Sequence, residues 1–148
     1  MPALSPDRIG DRVANLTEKP AVLGAGFVVD LADEPVEGGF DPTFGNVTWQ
    51  TLISGDKTDS NGLILGVATF PPEGLLHPHR HTTPEFYFCT AGSGIVAMDG
   101  VDYPIEPGSA VFIPSDVEHG VVAGPEGLKF VYGFGEDAFS AIEYRFCA

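Results

Sequence analysis

The sequence predicts an all-β domain built as a sandwich or barrel, and three observations carry that expectation. Short apolar segments recur at intervals of about 8–12 residues, each closed by a turn signal. Asp99-Gly100, between two apolar runs, is the strongest hairpin signal in the chain. Nineteen glycines and thirteen prolines supply many tight turns without the period of a fibrous protein, while the sequence offers one modest helix.

That helix lies at the start. Ser5 can cap it, Pro6 occupies its first position, and Ile9, Val13 and Leu16 share one face, although Gly10 weakens it. A strand over 24–31 and a turn-rich acidic stretch through Asp41-Pro42 follow. Residues 1–45 therefore read as an N-terminal arm, packed on the main body or on a second subunit, and 46–148 as the barrel. Within the barrel, 47–54 is rich in β-branched and aromatic residues and 63–70 is apolar. Pro71-Pro72-Glu73-Gly74 breaks the chain. Strands are expected at 75–81 and 85–91, separated by Thr82-Thr83-Pro84, and at 95–98 and 101–105, flanking the Asp-Gly turn. Pro107-Gly108 precedes a strand at 110–113, and 118–123, 128–134 and 142–147 complete the set.

Composition bounds the function. The chain has 148 residues, enough for one domain, and 43% hydrophobic residues, enough for a core. A formal net charge of −14 offers nothing to nucleic-acid phosphates or to an anionic membrane surface. Cys89 and Cys147 are too few for a disulfide framework. The first eight residues lack the apolar stretch of a secretory signal, and no apolar run approaches the ~20 residues that cross a bilayer. The expectation is a soluble protein of a reducing cytoplasm.

The chemistry gathers in His77-Pro-His79-Arg-His81-Thr-Thr-Pro-Glu85-Phe-Tyr87-Phe-Cys89. Alternate strand residues share a face, so His79 and His81 point the same way, and Glu85 opens the next strand beside them after a short reversal. Two imidazoles and a carboxylate converging on one point suit a divalent metal. A surface histidine tract with adventitious affinity is the blander reading; three of the four histidines within five residues, with a carboxylate close behind, argue against it. His119 follows a strand and a proline turn, from which it can reach the same point.

Tyr87 and Cys89 share the parity of Glu85 and should face inward, with Phe86 and Phe88 outward. Tyr87 can hydrogen-bond a ligand, ionise beside a cation, or simply sit in the core; Cys89 reads as a small buried residue. His77 reads as a pocket or surface residue, and Arg80 should point away from the metal into a salt bridge. Tyr103, Tyr132, Tyr144 and Trp49 can line the barrel, where aromatic faces would suit a cationic ligand.

The two segments together resemble the paired motifs of the cupin superfamily. His79, His81, Glu85 and Gly92 match the first motif; Gly108, Pro114 and His119 match the second. Three positions depart: Glu73 and Asp116 stand where the family has glycine, and Ala123 where it has asparagine. These are turn and packing positions, which puts local backbone shape in question rather than the ligands. The resemblance implies a double-stranded β-helix, a jelly-roll barrel, and one divalent ion held by His79, His81, Glu85 and His119. Fe(II) is the first expectation, and Mn, Ni or Zn suit the same donors.

A closer resemblance is to the short bacterial cupin-type dimethylsulfoniopropionate (DMSP) lyases. It is carried by Asp41-Pro-Thr-Phe-Gly-Asn-Val-Thr-Trp49, by His79 through Tyr87, by 94–101, by 118–127 and by Ala141-Ile-Glu-Tyr-Arg-Phe146. It implies β-elimination of DMSP to dimethyl sulfide and acrylate, with Tyr87 at the position of a residue implicated in catalysis. On that reading the substrate is a small anionic or zwitterionic carboxylate. Tyr87 is the first candidate for the base, and a metal-bound hydroxide the second. Two rivals stand beside it: another mononuclear-metal cupin enzyme, such as an Fe(II) dioxygenase or an isomerase acting on a small carboxylate, and a non-catalytic cupin that binds a small ligand. The arm before residue 46 makes an arm-exchanged homodimer a further expectation.

Overall fold

The computed structural model describes residues 25–147. The helix expected after Ser5 lies outside that range. Among the described residues nine strands form one antiparallel sheet that curls on itself: β1 (Glu37–Gly38), β2 (Thr48–Ile53), β3 (Ile64–Phe70), β4 (Leu75–Arg80), β5 (Glu85–Met98), β6 (Val101–Ile105), β7 (Ala110–Ile113), β8 (His119–Phe134) and β9 (Arg145–Phe146). Short 3-10 turns at Leu31–Asp33 and Phe139–Ala141 complete the regular structure. No helix among the described residues is long and apolar enough to cross a membrane.

The two long strands organise the rest. β5 and β8 pair along their whole length, from Glu85 opposite Phe134 to Met98 opposite His119. The second half of β8 also pairs with β3, and the first half of β5 with β7; the first half of β8 pairs with β4, and the second half of β5 with β6. Each long strand therefore serves both walls of a jelly roll, and the core lies between the walls. Alternation decides which side chains enter it: Glu85, Tyr87 and Cys89 of β5 are buried, whereas Phe86 and Phe88 are exposed.

Crossing from wall to wall requires both strands to bend. The β5–β8 register shifts between Cys89 and Ala91 and again between Gly92 and Gly94, as bulges do at barrel corners. Gly92 has φ +73°, and a Cβ there would stand 2.1 Å from the carbonyl oxygen of Gly127, itself at φ +82°. No other residue fits that close approach.

The expected elements differ from the structure in three ways. The segments 85–91 and 95–98 are one strand, as are 118–123 and 128–134, because a strand that bends need not end. Residues 25–30 form no strand; β2 is bordered by β3 on one side and, at Thr48 and Trp49, by Glu37–Gly38 on the other. This part of the chain is held instead by Gln50, whose Nε2 donates to the carbonyls of Leu31 and Glu34 at 3.0 Å each. The final strand is confined to Arg145–Phe146.

The two glycine departures are accommodated without loss of shape. Glu73 and Asp116 have φ of +58° and +61°, so each adopts the left-handed conformation that a glycine would take freely. At the third departure, Ala123 is buried in the core.

Gly92→Ala should cost about 3 kcal/mol or more, since it combines a left-handed backbone with a clash against a fixed carbonyl. Gly100→Ala, at φ +80° with open space around it, should cost about 1 kcal/mol. Denaturant unfolding of the two variants checks the ordering; equal losses would refute the close-approach argument.

Candidate metal centre

Register brings the expected ligands together. His79 near the end of β4 lies directly opposite His119, the first residue of β8. His81 follows in the turn, and Glu85 opens β5 after Thr82-Thr83-Pro84. All four side chains are buried. The coordinating atoms of His79, His81 and His119 all lie within 4.8 Å of one another. Glu85 Oε1 is 3.2 Å from His81 Nε2 and 3.4 Å from His119 Nε2.

The backbone sets the tautomers. Nδ1–H of His79 donates to the carbonyl of His77 at 2.8 Å, that of His81 to Thr83 at 2.7 Å, and that of His119 to Val117 at 2.8 Å. A carbonyl can only accept, so each ring carries its proton on Nδ1 and turns Nε2 inward. The Nε2 atoms of His79 and His119 are buried without a hydrogen-bond partner. Such orphans each cost about 1–3 kcal/mol, and a cation satisfies all of them at once. Burial, reinforced by the nearby His119, pushes His79 down to about 4, which keeps its lone pair free at neutral pH. Three imidazole nitrogens and a carboxylate fit a divalent ion of the first transition row, and do not choose among its members.

Beside this cluster opens a cavity of about 230 Å³, lined by His79, Glu85, the hydroxyl-bearing rings of Tyr87, Tyr132 and Tyr144, and otherwise by apolar side chains including Phe44, Trp49, Phe130, Phe139 and Phe146. That volume lies below the roughly 300–1,000 Å³ of pockets for drug-sized ligands, and suits a small metabolite. Tyr87 stacks on Phe130 at 4.0 Å. Burial first, then the charge of Glu85, raises its hydroxyl well above the usual phenol range, so Tyr87 is a neutral phenol unless positive charge enters the cluster. Tyr132 reaches the Thr51 hydroxyl at 3.4 Å and, chiefly through burial, is pushed up to about 12.

Most of the remaining expectations hold. Arg80 pairs with Glu118 at 3.2 Å away from the cluster, and Cys89 is fully buried in the core. His77 stands outside the cavity lining, contributing its carbonyl to His79 instead. Tyr103 is exposed on β6 and lines nothing. Tyr144 matters more than its place among scattered aromatics suggested: its ring centroid is 5.2 Å from both His79 and His81. No spacing rule points to it, because it reaches the site from a stretch of chain that is mostly not strand.

A buried three-histidine, one-carboxylate cluster at the mouth of a jelly roll defines a cupin, and residues 66–132 match the cupin domain family. Within the cupins the chain belongs to the family of the dimethylsulfoniopropionate lyase DddW of Ruegeria pomeroyi. The two are 54% identical over 120 residues, which cover 81% of this chain and 79% of the relative. Among solved structures, the polyketide cyclase RemF from Streptomyces resistomycificus superposes with a TM-score of 0.70 at 23% identity, covering 83% of this chain and 86% of its own. A structure reported for the DMSP lyases RdDddP and RnDddQII gives 0.60 at 17% identity, covering 69% and 53%. Those two likenesses speak to the fold alone.

Protein purified without chelator should carry close to one divalent ion per chain, and His81→Ala should lose it. Elemental analysis decides the matter; full occupancy in His81→Ala would mean that the ligands lie elsewhere.

Proposed function

We propose that this protein is a metal-dependent carbon–sulfur lyase that cleaves DMSP to dimethyl sulfide and acrylate, with His79, His81, Glu85 and His119 as metal ligands and Tyr87 as the catalytic base. The observation that carries this reading is the 54% identity to DddW over most of both chains, joined to a small cavity whose lining combines His79 and Glu85 with aromatic rings. Fe(II) is the ion we expect. When bound, a divalent ion would receive the substrate carboxylate, acidify the adjacent carbon and oppose the effects that keep Tyr87 protonated.

The chain's own residues account for the rest. The aromatic lining, with Trp49 and Tyr144 among it, holds the sulfonium by cation–π attraction worth about 0.5–2 kcal/mol per good contact and excludes water. Tyr87 Oη takes the proton from the carbon next to the carboxylate. The electron pair of that C–H bond becomes the acrylate double bond, and the C–S pair departs with sulfur. Dimethyl sulfide leaves neutral, so no general acid is needed. Among the rival readings, a dioxygenase would use the same four ligands and consume oxygen. Two free cysteines, one of them exposed, suit a reducing cytoplasm. The arm supports an arm-exchanged homodimer, which sedimentation of the intact chain tests.

Purified, iron-loaded protein should release dimethyl sulfide from DMSP into the headspace at the same rate with and without oxygen, because the elimination is redox-neutral. Oxygen uptake tied to substrate loss would replace the lyase with a dioxygenase.

Tyr87→Phe should keep its metal and fold, since only a hydroxyl is removed. Its kcat should fall on the order of 10²–10⁴-fold, as is typical when a general base is lost, with KM little changed. Wild-type turnover in this variant would return Tyr87 to the core.

A further inference from the structure

Part of the cavity wall comes from the chain after the last long strand. Phe139, Tyr144 and Phe146 line it, and all three belong to the strap that follows β8. The candidate ligands stand on β4, β5, β8 and the β4–β5 turn, and the strap adds Phe139, Tyr144 and Phe146 to the wall that those strands begin.

The strap is tied down at two places. At its far end, β9 pairs with β4, placing Phe146 opposite His79; the Cys147 amide donates to the Pro78 carbonyl at 3.1 Å, and Arg145 pairs with Asp116. At its near end the partner is the loop between β2 and β3. Asp56 there accepts the Ser140 amide at 2.9 Å through Oδ2 and the Ser140 hydroxyl at 2.6 Å through Oδ1. The fully buried Ser54 hydroxyl donates to Asp56 Oδ2 at 3.2 Å and accepts the Phe139 amide at 2.9 Å. Hydroxyl and amide bonds from Ser140 hold the Asp56 carboxyl below its usual range, as expected of an acceptor bonded in its charged form. Gly55 makes the approach possible, because a Cβ there would meet the Asp137 carbonyl oxygen at 2.8 Å.

We propose that Asp56 is a positioning residue for the reaction: by holding Ser140 it keeps the strap closed, and with it Phe139 and Tyr144 against the substrate. This rests on the reading of the cavity as the DMSP site. Asp56 touches neither ligand nor metal. A wall that contacts substrate and transition state alike contributes uniform binding, and its loss raises KM while sparing kcat. If the closed strap becomes a minor state, apparent affinity falls by the closed fraction.

The test compares iron-loaded wild type with Asp56→Ala, Ser140→Ala, the double variant and Asp56→Asn, using DMSP as the probe. Asp56→Ala should raise KM on the order of 3–10-fold, with kcat within about twofold and metal content unchanged. Ser140→Ala should resemble it, and the double variant should be little worse than either single change, because the two residues act through one contact. Asp56→Asn keeps an acceptor oxygen and should recover part of the loss. Hydrogen exchange supplies a readout independent of turnover: amides of 142–147 should lose protection in Asp56→Ala while those of β5 keep theirs. A KM equal to wild type, a loss confined to kcat, or unchanged exchange over 142–147 would each overturn the proposal. If the wild type failed to turn over DMSP, the lyase reading would fall; faster exchange over 142–147 in Asp56→Ala with metal retained would then sustain the strap's dependence on Asp56, and unchanged exchange would end it.

Discussion

Everything in this protein hangs on the register of one strand pair. β5 and β8 run antiparallel from Glu85–Phe134 to Met98–His119, and strand side chains alternate between the two faces. A slip of one residue would turn Glu85 and Tyr87 out to solvent and bring Phe86 and Phe88 in. Two features hold the register at the corner. The bulges around Ala91 and Gly92 absorb the bend, and the Gly92–Gly127 approach admits no side chain between the strands. Downstream of that corner, His119 comes to stand opposite His79, so the correct pairing of two strands is also the assembly of the site.

That assembly places a costly group of atoms in the interior. Three imidazoles and a carboxylate are withdrawn from water, and two ring nitrogens have no hydrogen-bond partner. The surroundings offset part of this cost. Each Nδ1 proton meets a carbonyl two residues away in sequence, a local contact that also aims each ring. Aromatic rings pack closely around the histidines: Tyr144 and Phe146 lie 5.2 and 5.1 Å from His79, and Phe134 lies 5.2 Å from His81. What remains unmatched is inward-facing lone pairs, and a bound cation answers that deficit. Binding an ion there would return stability given up at the cluster, which couples metal binding to folding.

The cavity beside the cluster combines two kinds of lining. His79 and Glu85 line it together with the rings of Trp49, Tyr87, Phe130, Tyr132, Phe139, Tyr144 and Phe146, so polar groups and aromatic faces share one small space. The barrel strands supply His79 and Glu85. The strap completes the aromatic wall, using a 3-10 turn, a two-residue strand and side-chain hydrogen bonds in place of a continuous ladder.

Local pattern alone determined much of this protein. Alternation assigned Glu85, Tyr87 and Cys89 to one face and Phe86 and Phe88 to the other; Asp99-Gly100 marked its hairpin; the spacing of His79, His81 and Glu85 was enough to gather them, since they are joined by one short turn. These are short-range facts, written within a few residues of each other. His119 became legible through the resemblance of its motif, although the ladder that carries it across the barrel spans many residues. Tertiary structure alone decided the rest. It fused the paired segments into two long strands, because a bend at glycine and a chain break look alike in sequence. It left 25–30 outside the sheet, with Gln50 of β2 donating to the carbonyls of Leu31 and Glu34 just after them. It set Glu73 and Asp116 into left-handed turns that glycine would have announced. Finally, it brought Asp56 to Ser140 and Tyr144 to His79 from distant parts of the chain, contacts that follow from closure of the barrel and leave no periodic trace in the order of the residues.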